Sequence, residues 1–182
     1  MTRGRQIGLG IAALLMVQLA ALGIYRVVER RRAAPTRPFR AQVLTDPAPA
    51  PPLVGTRAGG APVALTWPAA GPRLVHFWAT WCEPCRRELP GLLALTRALK
   101  LELVAIAVDD DWGEIGAFFD GAVPPEIVIE RAGDAHRGLG VSTLPDSYLV
   151  DPRGRVVERY DGERDWRTPA ARAHLRARLG AL

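Results

Sequence analysis

Apolar and polar positions divide the chain into three regimes. From Ile7 to Tyr25 the run IGLGIAALLMVQLAALGIY carries no charge over nineteen residues, with only Gln18 and Tyr25 polar. At 1.5 Å per helical residue it reaches about 28 Å, close to the hydrocarbon thickness of a bilayer. The pattern predicts a transmembrane helix over 7–25, behind a short basic N-terminus at 1–6. A buried core helix is the other reading, but such a helix is rarely apolar all round and placed at the extreme N-terminus. Residues 26–52 form an Arg-rich, then Pro-rich linker. Its prolines at 35, 38, 47, 49, 51 and 52 exclude a helix or central strand and favour an extended, semi-rigid spacer. The folded domain is expected over 53–182.

Within that domain the pattern alternates. Two short β-like pieces around Arg57-Ala58-Gly59-Gly60 predict a hairpin over Leu53–Leu65. Arg73–Ala79 and Leu101–Val108 are short apolar runs of the kind that form strands buried on both faces. Between them a helix is expected from Cys82-Glu83-Pro84 to Lys100, with Pro90 kinking its interior. Asp111 and Glu114 have capping-box spacing for a helix through Phe119. Glu126–Glu130 follows as a strand and Asp134–Leu139 as one short helix. Ser147–Val150 and Val156–Tyr160 flank the turn signal Asp151-Pro152-Arg153-Gly154. Thr168-Pro169 opens a terminal helix ending at Gly180. Alternating elements with buried strands imply an α/β fold, a central sheet covered by helices on both faces.

Charge sharpens the division. Residues 1–40 hold eight Arg and one Glu, whereas residues 41–182 hold 16 Lys+Arg against 18 Asp+Glu. The basicity flanks the apolar segment and the body is slightly acidic, which argues against a nucleic-acid-binding domain. The Arg excess after the span would by itself keep the body in the cytoplasm, although large following domains can translocate despite such charges. Ala21-Leu22-Gly23 could serve a signal peptidase, but the run is longer than a usual signal core, so an uncleaved anchor is preferred.

The chemistry lies at Trp81-Cys82-Glu83-Pro84-Cys85, after a buried strand and at a helix opening. Three residues apart on a first helical turn, the two sulfurs can meet in a small disulfide ring. The first thiol faces unpaired backbone N–H groups and the positive end of the helix dipole, which stabilise its thiolate. Cys82 is therefore expected to attack a partner disulfide and Cys85 to resolve the mixed disulfide. A structural zinc site would need two further ligands, yet there is no third cysteine, and His76, His136 and His174 lack ligand-like spacing. A static disulfide closing so small a loop would stabilise little. Asp109–Asp111 could suggest a metal, but strand-end capping explains them.

FWATWCEPC followed by RRELP, with VSTLPDSYLVDPRGRVVERYDG about sixty residues on, resembles the thioredoxin superfamily, specifically its membrane-anchored TlpA/ResA-type thiol–disulfide oxidoreductases. The resemblance covers roughly Leu53–Leu182. It implies a thioredoxin fold, a central mixed β-sheet flanked by helices, here with an N-terminal β-hairpin extension and the N-terminal transmembrane helix. It implies that Pro145 follows a cis bond beside the disulfide and that Leu144 offers its backbone to an extended substrate segment. Trp81 and Trp78 would shape the apolar rim. Glu88 stands where ResA-type proteins carry a glutamate near the thiols, and if partly buried it could exchange a proton with Cys85. The alternative is a solvated glutamate paired with Arg86 or Arg87. His76 departs from the family, which has aspartate or asparagine there. It could handle the Cys85 proton or merely fill the site with a satisfied hydrogen bond, the preferred reading.

The resemblance implies protein thiols and disulfides as partners, a membrane electron donor of thiol-carrier type and no cofactor. It places a single-pass protein in a bacterial cytoplasmic membrane, its domain outside, with roles such as cytochrome c maturation or copper-site assembly. Two rivals are a Cu(I)-binding or metallochaperone module using the same thiols and a peroxiredoxin-like peroxidase. The latter needs T-x-x-C, and Thr80 lies only two residues before Cys82.

Overall fold

The computed structural model describes residues 14–25, 39–108, 111–130 and 134–182. They belong to two units, residues 1–36 and 37–182. In the first, helix α1 covers residues 14–25 and exposes apolar side chains such as Leu14, Met16, Val17 and Leu19. No described helix is long and apolar enough to cross a membrane. Residues 7–13 of the expected span lie outside the described residues, as do Arg26, Arg30, Arg31 and Arg32.

The second unit is built on one eight-stranded sheet. Its strands are β1 (Gln42–Val43), β2 (Leu53–Thr56), β3 (Pro62–Leu65), β4 (Arg73–Trp78), β5 (Glu102–Ala107), β6 (Ile127–Glu130), β7 (Asp146–Val150) and β8 (Val156–Asp161). Across the sheet they run β1-β8-β7-β4-β5-β6-β2-β3. The centre, β4-β5-β6, is parallel; β7 and β8 join antiparallel on one side, the β2–β3 hairpin on the other. The helices are α2 (Glu83–Leu99), α3 (Trp112–Phe118), α4 (Asp134–Gly138) and α5 (Pro169–Ala181). The fold is thioredoxin-like, a mixed sheet with flanking helices.

Two cores form because alternate residues of a strand point to opposite faces. Leu74 and Trp78 of β4 join Leu89 and Leu92 of α2, Ile115 of α3 and Leu175 of α5. Val75 and Phe77 turn the other way, to Leu53 and Val63 of the hairpin and Ala135 of α4. In β4 only His76 interrupts the apolar run, and it is fully buried.

Local chemistry sets the ends of the helices. Asp111 caps α3 by accepting from the N–H groups of Gly113 and Glu114, and Thr168 caps α5 by accepting from that of Ala171. α2 starts at Cys82, carries a proline in its first turn and stops at Lys100 in the left-handed region; Pro90 lies inside a continuous helix. Asp109 and Asp110 lie outside the described residues.

One difference from the sequence pattern bears on the domain's start. Gln42 and Val43, inside the proline-rich stretch, pair with Arg159 and Glu158 of β8, and Pro49 bridges Arg155. Prolines exclude central strands but not edges: here the N–H groups of Leu44 and Ala50, between the prolines, reach the carbonyls of Val157 and Gly154.

Candidate active site

β4 ends at Trp78, the chain turns through Ala79–Trp81, and Cys82 becomes the N-cap of α2. Cys82 and Cys85 are joined in a disulfide. The two sulfurs are unequal: Cys82 keeps 6% of its surface exposed while Cys85 keeps none. Only the first can meet a partner, and the Cys85 N–H points to its Sγ at 3.4 Å. With the unpaired N–H groups of a first helical turn beside it, Cys82 Sγ sits where a thiolate is favoured.

Beside Cys82 lies an open groove of about 480 Å³, lined by Trp81, Pro84, Val108, His136 and the segment Val141–Leu144. Leu144–Pro145 is cis, as is Trp67–Pro68, which the sequence pattern did not indicate. Trp81 is 64% exposed and separates this groove from a second one lined by Thr80, Arg86, Glu114 and Phe118. Asp146, the residue after Pro145, is fully buried. Arg159 grips it with two donors, at 3.1 and 2.6 Å, and the Tyr148 hydroxyl lies 2.7 Å away. This brace stiffens β7 where it leaves the groove.

Behind the disulfide, Glu88 is buried on the same face of α2 as Cys85. Its Oε2 accepts from the Arg164 N–H at 2.6 Å. Burial pushes its carboxyl up to about 8, and the Arg164 N–H opposes the rise. Neither Arg86 nor Arg87 pairs with it. Arg87 instead reaches Glu163 with two donors, at 2.9 and 2.8 Å, and Glu83 at 3.2 Å, tying α2 to the loop that supplies the Arg164 N–H. His76 lies below with Nδ1 2.8 Å from Ser147 Oγ and 3.8 Å from Glu88 Oε1. Burial lowers its imidazole to about 3, so with Glu88 protonated the two face each other as neutral groups at physiological pH, not as an ion pair.

Cys82, Cys85, Trp81, Leu144, Pro145 and Glu88 thus gather around one disulfide at the C-terminal end of β4. Ser147, Glu163 and Arg164 complete the surroundings and were not singled out from sequence, while His136, weighed there only as a zinc ligand, lines the groove. Only Ser147 carried a readable signal, as a polar residue in a buried strand. Among the described residues no group of three or more His, Cys, Asp or Glu side chains is placed to hold a metal ion.

The profile of the AhpC/TSA family matches residues 46–159, well over half the chain. The chain belongs to the AhpC/TSA family. Within this AhpC/TSA chain, a stretch of 95 residues is 32% identical to the thiol-disulfide oxidoreductase ResA of Bacillus thuringiensis, covering 49% of this chain and 54% of that protein. A stretch of 94 residues is 31% identical to a thiol:disulfide interchange protein DsbE homolog of Paracoccus denitrificans, covering 50% and 51%. The chain thus spans about half the length of these curated relatives. Among solved structures, one from Chlorobium tepidum assigned as thiol:disulfide interchange protein DsbE is 28% identical. It superposes with a TM-score of 0.62 over 76% of this chain and 97% of its own. The thioredoxin domain of a thiol-disulfide oxidoreductase from Bacteroides vulgatus shares the fold with a TM-score of 0.63 at 22% identity, over 75% and 99%.

Proposed function

We propose that this chain is a membrane-anchored thiol–disulfide oxidoreductase that reduces disulfides of protein partners on the outer face of a bacterial cytoplasmic membrane. The observation that carries the chemistry is the unequal burial of the two sulfurs: Cys82 at a helix N-terminus beside an open groove, Cys85 enclosed beneath it. In the reduced chain the Cys82 thiolate attacks a partner disulfide, forming a mixed disulfide and releasing one partner thiolate. Cys85 then loses its proton to Glu88 in the fraction of molecules whose carboxyl is ionised, a fraction that grows as pH approaches about 8, and attacks Cys82 Sγ. The Cys82–Cys85 bond forms, the partner's second thiolate leaves, and two electrons have passed to the partner. Leu144, beside Pro145 on the groove wall, offers backbone to an extended partner segment.

The nineteen-residue apolar run over 7–25 supports the anchor, and a tethered reductase has its use where the surroundings are oxidising. The need for a reductant in oxidising surroundings outweighs the Arg-rich flank and puts the domain outside. Likeness to ResA and DsbE proteins supports a role of the cytochrome c maturation or copper-site type, fed by a membrane thiol carrier. A peroxidase is disfavoured because buried Ala79, not threonine, stands three residues before Cys82.

The equilibrium reduction potential of Cys82/Cys85 in the full chain, titrated against glutathione or dithiothreitol, tests the reading. A value near or below about −220 mV supports a reductant, and one near about −120 mV reverses the direction. Absence of a reversible two-electron couple overturns it in favour of Cu(I) binding by the same thiols.

A further inference from the structure

His76 is the buried titratable group nearest Glu88 that this reaction scheme leaves unused, 3.8 Å from its carboxyl. It is the one polar side chain of β4 that is fully enclosed. In the sheet it is paired with Ser147 of β7 on one side and Ala105 of β5 on the other. Nδ1 lies 2.8 Å from Ser147 Oγ, while Nε2 has no hydrogen-bond partner among the described residues. A buried N–H without an acceptor carries the full cost of its desolvation, more than a buried lone pair left without a donor. The proton therefore belongs on Nδ1, donated to Ser147, and Nε2 keeps only a lone pair. The same Nδ1 is 3.8 Å from Glu88 Oε1, just beyond hydrogen-bond length.

We propose that His76 is a positioning residue for proton transfer at Cys85: its Nδ1–H rests on Ser147 while Glu88 holds the proton and turns to the Glu88 carboxylate when the proton leaves. The inference rests on the oxidoreductase reading and on Glu88 as proton carrier. A neutral imidazole suits this task better than a charged one. Burial keeps it uncharged, so it supplies a donor without supplying or consuming the transferred proton. The proton itself passes between Cys85 Sγ and Glu88. The other groups facing Glu88 are the Arg164 N–H and guanidinium and the Trp166 side chain, which favour its ionised form, and Glu163, which disfavours it. On its own helix Arg87 is taken up by Glu163 and Glu83. From β4 the only polar side chain offered is His76.

The consequence has a sign. Without the His76 donor, the carboxylate loses a partner and holds its proton to higher pH. Without Ser147, Nδ1–H has only Glu88 to serve, and the carboxylate becomes easier to form. A purely structural histidine would not move these two in opposite directions.

The experiment uses the reduced full chain and a dithiobis(nitrobenzoate) disulfide. The first coloured thiolate reports attack by Cys82; the second reports resolution by Cys85, and its rate is followed against pH. In Glu88→Gln the inflection of this second phase disappears; if it persists unchanged, the Glu88 reading fails and this inference with it. With that inflection assigned, His76→Leu is expected to move it upward by about one pH unit, hence about tenfold slower resolution at neutral pH. His76→Asn, which restores a donor, brings it part of the way back, and Ser147→Ala moves it downward. Inflections of His76→Leu and Ser147→Ala that both coincide with the unsubstituted chain overturn the inference while leaving Glu88 in place. Should His76→Leu fail to fold, Ser147→Ala decides alone: a downward shift supports the inference and no shift overturns it.

Discussion

Glu88→Gln preserves the side chain's shape and removes one titratable proton from a buried site, so its effect on stability reads directly on how Glu88 is held. In the folded protein burial raises this carboxyl to about 8, against 4.5 for an ordinary glutamate. Between those values the folded chain keeps a proton that the unfolded chain has released. The corresponding stabilisation is complete below about pH 4.5 and is lost as pH rises through about 8. A one-proton difference between the two states is worth about 1.4 kcal/mol per pH unit. From pH 5 to 8 the stability of the unsubstituted protein relative to Glu88→Gln should therefore fall by about 4 kcal/mol. His76 acts in the opposite sense. Its folded value of about 3 against 6.5 gives a contribution that is present above pH 6.5 and lost as pH falls through 3. The two slopes cancel between pH 4.5 and 6.5 and leave a plateau there. The assay is urea unfolding of residues 37–182, with the disulfide kept oxidised, followed by fluorescence of buried Trp78 and Trp166. Subtracting the Gln variant cancels the other titrations common to both proteins. A difference that stays constant within about 1 kcal/mol from pH 5 to 8 would refute the claim that folding holds the proton on Glu88.

Two further outcomes follow from the same structure. Cys85→Ala should accumulate a mixed disulfide with partner proteins through Cys82, seen as added mass that dithiothreitol removes, whereas Cys82→Ala should trap none, because Cys85 is enclosed. Gly55→Ala should destabilise the domain by about 1–3 kcal/mol in urea unfolding, because an added Cβ would collide with the Ile129 carbonyl oxygen and force β2 away from β6; an unchanged midpoint contradicts that close approach.

Much of this protein was legible locally. Strand β4, the helix opening at Cys82, the caps at Asp111 and Thr168 and the turn at Asp151 all follow from patterns spanning a few residues. Such features depend on alternation, on unpaired N–H groups and on the conformational limits of proline and glycine, and these act within one or two turns of chain. The Cys82–Cys85 pairing belongs to the same class. Proline content misled at Gln42–Val43, because whether an extended segment gains a strand's hydrogen bonds depends on a distant edge, here β8, being open to it.

Around the disulfide, what the chain order conceals is who faces whom. Nothing local to Glu88 says whether an arginine beside it or a backbone N–H from residue 164 will meet its carboxyl; the structure selects the latter because α2 lies against the 162–165 loop and Arg87 clamps Glu163. His76 and Ser147 lie 71 residues apart in sequence and 2.8 Å apart in space, brought together by antiparallel pairing of β7 with β4. Sequence alone determined which residues bear the sulfur chemistry and on which kind of element they sit, since those properties are covalent and local. Tertiary structure decided the burial, and hence the protonation, of the groups around them, because desolvation depends on what every other part of the chain packs against that point.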